Sequence, residues 1–503
     1  MIARRFAVLV LAATAFAPAL WAAEIHIAIP KPPAYYDPRR AADSVTHGVI
    51  SQVYESSLLY TNSQPNGAPN LLTGVRRVDP KTYVGTVVPN IQFSDGSPLT
   101  AAAMVQWLST VPDISSRASV SAGGGPKGET VTFHLKEPDQ YFATLLMMNY
   151  SAIAKETAKG VFVGTGPFVL ASHDDKQIVL TKNPHFHDAG LPKTDRLVFQ
   201  VYPAEADGTN PKLMAAISRG EVDFTESVPI SSLPQVQTMK GVKAVVLDSK
   251  NTGWVSFNTR KAPVNDVRLR RALAYLLPSQ AIVKQLYPVG TRVATSFLPP
   301  ALASQIHGVD FDMHAKFDPA LGKSELSAMG YTAARKLKLV LLVPWASRPY
   351  CNNPILFGEI VKKSFEDTGM VEVKVNHPRT GDEYFQDLLG GKFEIAANGW
   401  IADGPNPVDF VEANFESSKI NCLSNCNNMA QWANPKVDAA IRQIRATGTP
   451  AGFQTIVDEI RREVPLLPIV HGPGVMVFST RIHGVEPSVF SYLSFRAAYV
   501  AGS

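Results

Sequence analysis

Apolar and polar residues along this chain repeat with two different periods. EIHIAI at 24–29, ETVTFHL, QIVLTK, RLVFQV, WVSFNT, LKLVLL and VEVKVN show the alternation or the short apolar runs of strands. Between Ser44 and Leu59, Val45, Val49, Val53 and Leu59 recur at helical spacing, and Pro65, Gly67 and Pro69 follow as turns. Thr100 is placed to cap a helix opening AAAMVQWL, and NPKLMAAIS reads as a helix stopped at Gly220. VNDVRLRRALAYLLPSQAIVKQL holds two helices parted near Pro278. In the first, Asn265 or Asp266 can cap the free amides, Leu269 and Leu273 share a face, and Arg268 and Arg271 can lie in solvent. From Leu337 to Trp400 strands and helices alternate. This predicts an α/β unit with parallel pairing and right-handed crossovers.

The first 23 residues follow neither period. Arg4 and Arg5 precede a mostly apolar run from Phe6 to Leu20, and Ala22 and Ala23 follow. That is the layout of a cleaved secretory signal peptide, too short for a permanent span of about 20 apolar residues. A buried first helix is the alternative. The mature chain is read as soluble and outside the cytoplasm. Roughly 480 residues beyond the signal exceed what one core organises, so two or three domains are expected. The formal charge of +5 falls further when Arg4 and Arg5 leave, and no Lys/Arg block is interleaved with aromatics. Nothing here calls for nucleic acid or for stable membrane insertion.

Three cysteines remain. Cys422 and Cys426, in the polar loop NCLSNCNN, can close a small disulfide ring; a metal pair is the competing reading, with no His or further Cys nearby in sequence. Cys351 is left over as a buried small residue. His185 and His187 are the one close His pair and most simply sit in a polar loop. G-x-S-x-G, H-E-x-x-H, the P-loop and the dinucleotide glycine fingerprint are all absent. Two classes stay open on composition: a binding module with its site between domains, or an enzyme assembled from distant residues.

Ordered motifs narrow this. DPRRAADSVTHGVISQVYESSLLY, VGTGPFVLASHDDKQIVLTKNPHFHDAGLPKTDRLVFQVYP, SRGEVDF, WVSFNTRKAPVNDVRLRRALAYLLPSQAIVKQLYPVGTRVATSFLPP, KFEIAANGW and REVPLLPIVHG occur in that order. The series resembles the peptide/nickel family of extracytoplasmic solute-binding proteins of ABC importers, over essentially the whole mature length. The resemblance implies a two-lobed α/β fold of the type II periplasmic binding protein class, in its large three-domain form, with the ligand cleft between lobes. It places lobe one at 24–55, 164–257 and 471–503, an inserted domain at 56–163 and lobe two at 258–470. The hinge crossings fall near Val255–Thr259 and Val470–Gly474.

Within the family, SRPYCNNP at Ser347–Pro354 is most similar to the dipeptide-carrying members, whose arginine there takes the peptide carboxylate; here it is Arg348. GWIADGPNPVDF is similar to the segment whose aspartate takes the terminal amine, here Asp403, with Trp400 beside the ligand. The loop Gly404–Asp409 departs from the family pattern, and FDMHAKFDPALGKSELSAMGY carries an insertion. The implied partners are a short peptide, an inner-membrane permease and its ATPase. A monomeric periplasmic carrier without cofactor or catalysis is expected. Oligopeptides, glutathione, haem, opines or a nickel chelate are the alternative cargo.

Overall fold

The computed structural model describes residues 23–41, 43–61, 64–125, 128–205, 208–287, 291–313, 316–420, 427–490 and 493–501. The proposed signal peptide, apart from Ala23, and the Cys422–Cys426 pair lie outside them.

A seven-stranded sheet runs in the order Phe168–His173, Gln177–Lys182, Arg196–Val201, Glu24–Ile29, Phe224–Thr225, Gly474–Ser479 and Val242–Leu247. Its first mature strand pairs in parallel with neighbours on both sides. A second, five-stranded sheet has the order Val371–Asn376, Leu337–Leu342, Ile395–Ile401, Asn251–Phe257 and Leu466–Val470. The strands between Leu337 and Ile401 pair in parallel, as their alternation with helices predicts. Asn251–Phe257 is buried along its whole length. Val255 and Phe257 join the core that holds Leu269, Leu273 and Phe357, while Trp254 joins one containing Phe410 and Ile441. A strand covered on both faces must pair its polar side chains, and Ser256 Oγ donates to Asn398 Oδ1 at 2.9 Å while Asn251 Nδ2 donates to Gly472 O at 2.8 Å.

An antiparallel four-stranded sheet, Leu72–Asp79, Thr82–Val87, Gly128–Leu135 and Ala118–Gly125, is contributed by the region between Glu55 and Gly164. Its Val131 and Phe133 share one continuous core with Ile25 and Phe199 of the seven-stranded sheet.

Local signals act where expected. Thr100 accepts from Ala103 N at 3.1 Å to open Ala101–Leu108. Asp266, rather than Asn265, caps Val267–Leu276, accepting from Arg268 N at 2.9 Å. Two expectations need correction. The early helix stops at Ile50, because the backbone of Glu55 pairs with Ile153 and Leu58–Thr61 enters a hairpin with Gln64–Pro69. The first crossing between the two large sheets lies at 248–250, not at Val255–Thr259. Asn251–Phe257, placed with the first lobe on sequence, is hydrogen-bonded into the second sheet on both edges. The second crossing runs through 471–473.

The GTGPF turn is the close approach its glycines predict. A Cβ on Gly164 would stand 2.1 Å from the Val53 carbonyl oxygen, and one on Gly166 would be 2.7 Å from it. Gly166 N and Phe168 N donate to the carbonyls of Val53 and Gln52, so the two segments cannot drift apart cheaply. Gly164→Ala is expected to cost about 1–3 kcal/mol through overpacking. Urea unfolding of the mature protein measures it, and a neutral result would mean that the turn yields.

Candidate functional site

The loop Ser347–Asn353 leaves the end of Leu337–Leu342 and leads into the helix Pro354–Glu366, which Asn353 caps. Arg348 and Cys351 exchange backbone hydrogen bonds of 3.0 and 2.9 Å, closing the loop on itself. Asn352 Nδ2 ties it to the Leu286 carbonyl at 2.8 Å. The loop lies flat on the sheet because three glycines leave room beneath it. A Cβ on Gly253 would be 2.3 Å from Tyr350 O, one on Gly399 2.6 Å from Tyr350 Cγ, and one on Gly472 2.0 Å from Pro349 O. On its other side the loop meets Gly208, which approaches Ser347 and Asn352.

Arg348 is held over the Trp345 ring, its guanidinium carbon 3.9 Å from the centroid. Its Nε is shielded from solvent and has no hydrogen-bond partner. Among the described residues no carboxylate forms an ion pair with it. Cys351, next to it in the loop, is buried, and burial pushes its thiol pKa well up, which suits an inert packed residue.

Trp400 is the penultimate residue of Ile395–Ile401 and sits across from Thr252. It is half-buried against the layer of Trp254 and Phe410. Thr252 Oγ1 in turn lies 3.0 Å from His471 Nδ1 in the second crossing. Burial holds His471 at about 4, so this imidazole is neutral near pH 7. Thus the Arg348 loop and the Trp400–Asp403 segment rest on the same strand, Asn251–Phe257, joined through Tyr350 on Gly399. No direct contact joins Arg348 to Asp403.

Asp403 follows the strand by two residues, and Ala402 N donates to Lys250 O at 2.7 Å. Its side chain is solvent-exposed at the strand end, with dense protein around it. Desolvation by that surrounding protein raises its pKa from 3.8 to about 7; Asp409 adds to the rise and Lys250 opposes it. Glu226, one residue beyond Phe224–Thr225 of the first sheet, has the same character: burial raises its pKa, again opposed by Lys250. Burial lowers Lys250 against the pull of Glu226 and Asp403. His47 completes the surroundings, held at about 4 by burial and further lowered by Lys250.

The sign of the Asp403 shift gives a testable outcome. Its native pKa lies above the unfolded value, so the folded protein binds the extra proton and loses stability as pH rises from about 4 through 7. Asp403→Asn should raise the melting temperature at pH 8 and leave it unchanged at pH 4. A lower melting temperature at pH 8 would contradict this.

A second charged cluster joins the region of the four-stranded sheet to the helices Pro407–Phe415 and Pro435–Thr447. Arg117 lies 3.5 Å from Asp139 and 3.3 Å from Glu412, and Arg445 pairs with Glu412 as well. Gln140 N donates to Arg445 O at 2.7 Å, and Asn406 Nδ2 to Thr144 Oγ1 at 3.1 Å. Asp409 stands beside this cluster with both carboxylate oxygens shielded and without hydrogen bonds. Burial raises it to about 6 against the pull of Arg117. Of the His pair, His187 Nε2 is committed to Glu55 at 3.0 Å, and Thr165 Oγ1 donates to the same carboxylate at 2.8 Å.

Lys250, Glu226 and the Arg117–Glu412–Arg445 cluster escaped the reading of the sequence. Lys250 stands in DSKNTGW and Glu226 in VDFTES, without a motif to mark them. The only available signal was position: Glu226 lies just past the carboxyl end of a strand, where open α/β sheets place their ligands, and Lys250 directly precedes Asn251–Phe257.

A family model, described as bacterial extracellular solute-binding proteins, family 5 Middle, matches residues 67–422. The chain is 24% identical over 390 residues to a probable ABC transporter periplasmic-binding protein SapA of Escherichia coli K12, covering 74% of this chain and 68% of that protein. It is also 24% identical over 386 residues to a dipeptide-binding protein of Pseudomonas aeruginosa, covering 73% and 69%. Its fold superimposes on a dipeptide binding protein of Pseudoalteromonas sp. SM9913, solved with Met-Leu, with a TM-score of 0.82. That match covers 95% of this chain and all of the other, at 19% identity.

Proposed function

This chain belongs to the bacterial extracellular solute-binding proteins of family 5, and from that premise we propose that its cargo is a short peptide, foremost a dipeptide. It is the extracytoplasmic binding component of an ABC importer and works with a membrane permease and ATPase. Among the described residues no helix is long and apolar enough to cross a membrane.

The observation that carries the peptide reading is the pair of opposite charges set on one platform. Arg348 offers a guanidinium without a carboxylate partner among the described residues, and Asp403 offers a solvent-exposed carboxylate. A zwitterion enclosed between lobes must have a donor fork at one end and an anion at the other, or desolvation makes binding unfavourable. An extended dipeptide separates its charges by roughly 7 Å, so fixed counter-charges also select length. Trp400 supplies an apolar wall beside the amine end.

The two large sheets are taken as the two lobes, with 248–250 and 471–473 as the hinge and the four-stranded sheet riding on the first lobe. Calorimetry with di-, tri- and tetrapeptides tests the assignment, with saturating binding of dipeptides as the expected result. Scattering should show a smaller radius of gyration with ligand and an unchanged monomeric mass. Binding confined to haem, an opine or a nickel chelate would overturn the peptide cargo.

A further inference from the structure

We infer that Trp345 is a positioning residue for Arg348: its indole face holds the guanidinium where a carboxylate otherwise would, so that the arginine is fixed and keeps its full positive charge for the ligand's carboxylate. The inference rests on the peptide reading of the Arg348 end.

Trp345 follows the strand Leu337–Leu342 by three residues, after Val343 N has prolonged the parallel pairing by donating to Asn376 O at 3.0 Å. The half-buried indole is seated on the helix Gly381–Leu389. A Cβ on Gly381 would stand 3.0 Å from the indole Cζ2, so glycine lets the ring lie close on the first helical turn. The rings of Tyr384 and Phe385 flank it at 5.5 and 5.8 Å between centroids. Tyr384 is buried, and its hydroxyl donates to Ala397 O at 3.2 Å in the central strand Ile395–Ile401. Thr380 closes the helix start by accepting from Glu383 N at 3.2 Å. Helix and sheet thus fix the indole independently of Arg348.

Arg348 comes to this seat from the neighbouring loop, its guanidinium carbon 3.9 Å from the ring centroid. The exchange with Cys351 fixes its backbone and leaves the side chain to be placed by the ring. A freely rotating arginine would have to be ordered by the ligand, at a cost in affinity. A carboxylate partner would order it too, but would occupy the donors and the charge that the ligand needs. The π face does neither. It attracts the cation through the ring quadrupole and leaves the donor edge of the guanidinium open for two parallel bonds to a carboxylate. The Arg348 Nε, shielded and without a hydrogen-bond partner, lies on that edge, and a bound carboxylate would supply its missing acceptor.

The test combines calorimetry with Met-Leu and NMR of arginine-labelled protein on wild type, Trp345→Leu and Trp345→Phe. Leucine keeps an apolar contact with Tyr384 and Phe385 but has no π face, whereas phenylalanine keeps a smaller one. Trp345→Leu should bind Met-Leu about tenfold more weakly, and Trp345→Phe should recover part of that loss. Trp345→Met replaces Trp345→Leu if the latter fails to fold. Equal losses in the aliphatic and phenylalanine variants, or no loss in a folded aliphatic variant, would overturn the inference. In the ligand-free proteins the Nε–H signal missing from Arg348→Ala should lie upfield in wild type, shielded by the indole ring current. It should move downfield in Trp345→Leu and return partway in Trp345→Phe. The same position in wild type and Trp345→Leu would mean that the arginine does not rest on the indole, and overturns the inference by itself. An upfield signal with no Met-Leu bound by wild type overturns the peptide reading instead, and the positioning role with it.

Discussion

Arg348→Ala is expected to weaken dipeptide binding by about 2–5 kcal/mol, roughly thirtyfold to several thousandfold. The ligand's carboxylate would remain enclosed without its donor fork, and that unmet desolvation is the main part of the loss. Stability should change little, because Arg348 forms no ion pair with a described residue and its loop is held by backbone hydrogen bonds and by Asn352. Arg348→Lys should recover only part of the affinity, since an ammonium cannot grip a carboxylate with two parallel donors or lie flat on Trp345. Calorimetry with one dipeptide across the three proteins measures this. A loss below about 0.5 kcal/mol for the alanine variant, within the range of surface substitutions, would move the carboxylate end elsewhere.

Glu412→Ala should be the most damaging of the substitutions outside the ligand site. Glu412 is buried between two arginines, Arg117 from the inserted sheet region and Arg445 from the helix Pro435–Thr447. Removing the carboxylate leaves two largely buried guanidinium groups with Asp139 and the Asp409 side chain to share. Breaking a buried ion network from one side costs about 3–5 kcal/mol, more than the net contribution of the intact network. Urea unfolding reads the loss directly. Because this cluster ties the region of the four-stranded sheet to the helices Pro407–Phe415 and Pro435–Thr447, the ligand-free variant should also scatter with a larger radius of gyration. A loss below about 1 kcal/mol together with an unchanged radius would show that the network is solvated in solution and holds nothing together.

The amino-acid order alone determined what depends on neighbours a few residues apart. Thr100 and Asp266 cap their helices because a short polar side chain can reach the amides of the next turn whatever the rest of the chain does. The parallel unit from Leu337 was legible because strand and helix periods alternate in sequence, and short connections leave few ways to pair them. The ordered motifs carried the family, and with it Arg348, Trp400 and Asp403 as residues to locate. Tertiary structure decided the rest. Asn251–Phe257 mixes apolar Trp254, Val255 and Phe257 with polar Asn251, Thr252 and Ser256, so its pattern fits either sheet; only its pairing with Ile395–Ile401 and Leu466–Val470 moved the crossing to 248–250. Ser44–Leu59 kept helical spacing past Ile50, but the demand of Gly164 and Ile153 for an extended partner outweighed it. Lys250 lies within electrostatic range of Glu226 and Asp403, which come from other parts of the chain, and Arg117 meets Glu412 across 295 residues. Such charges carry no period and no local partner. Their pKa shifts come from surrounding protein that is assembled only in the folded chain.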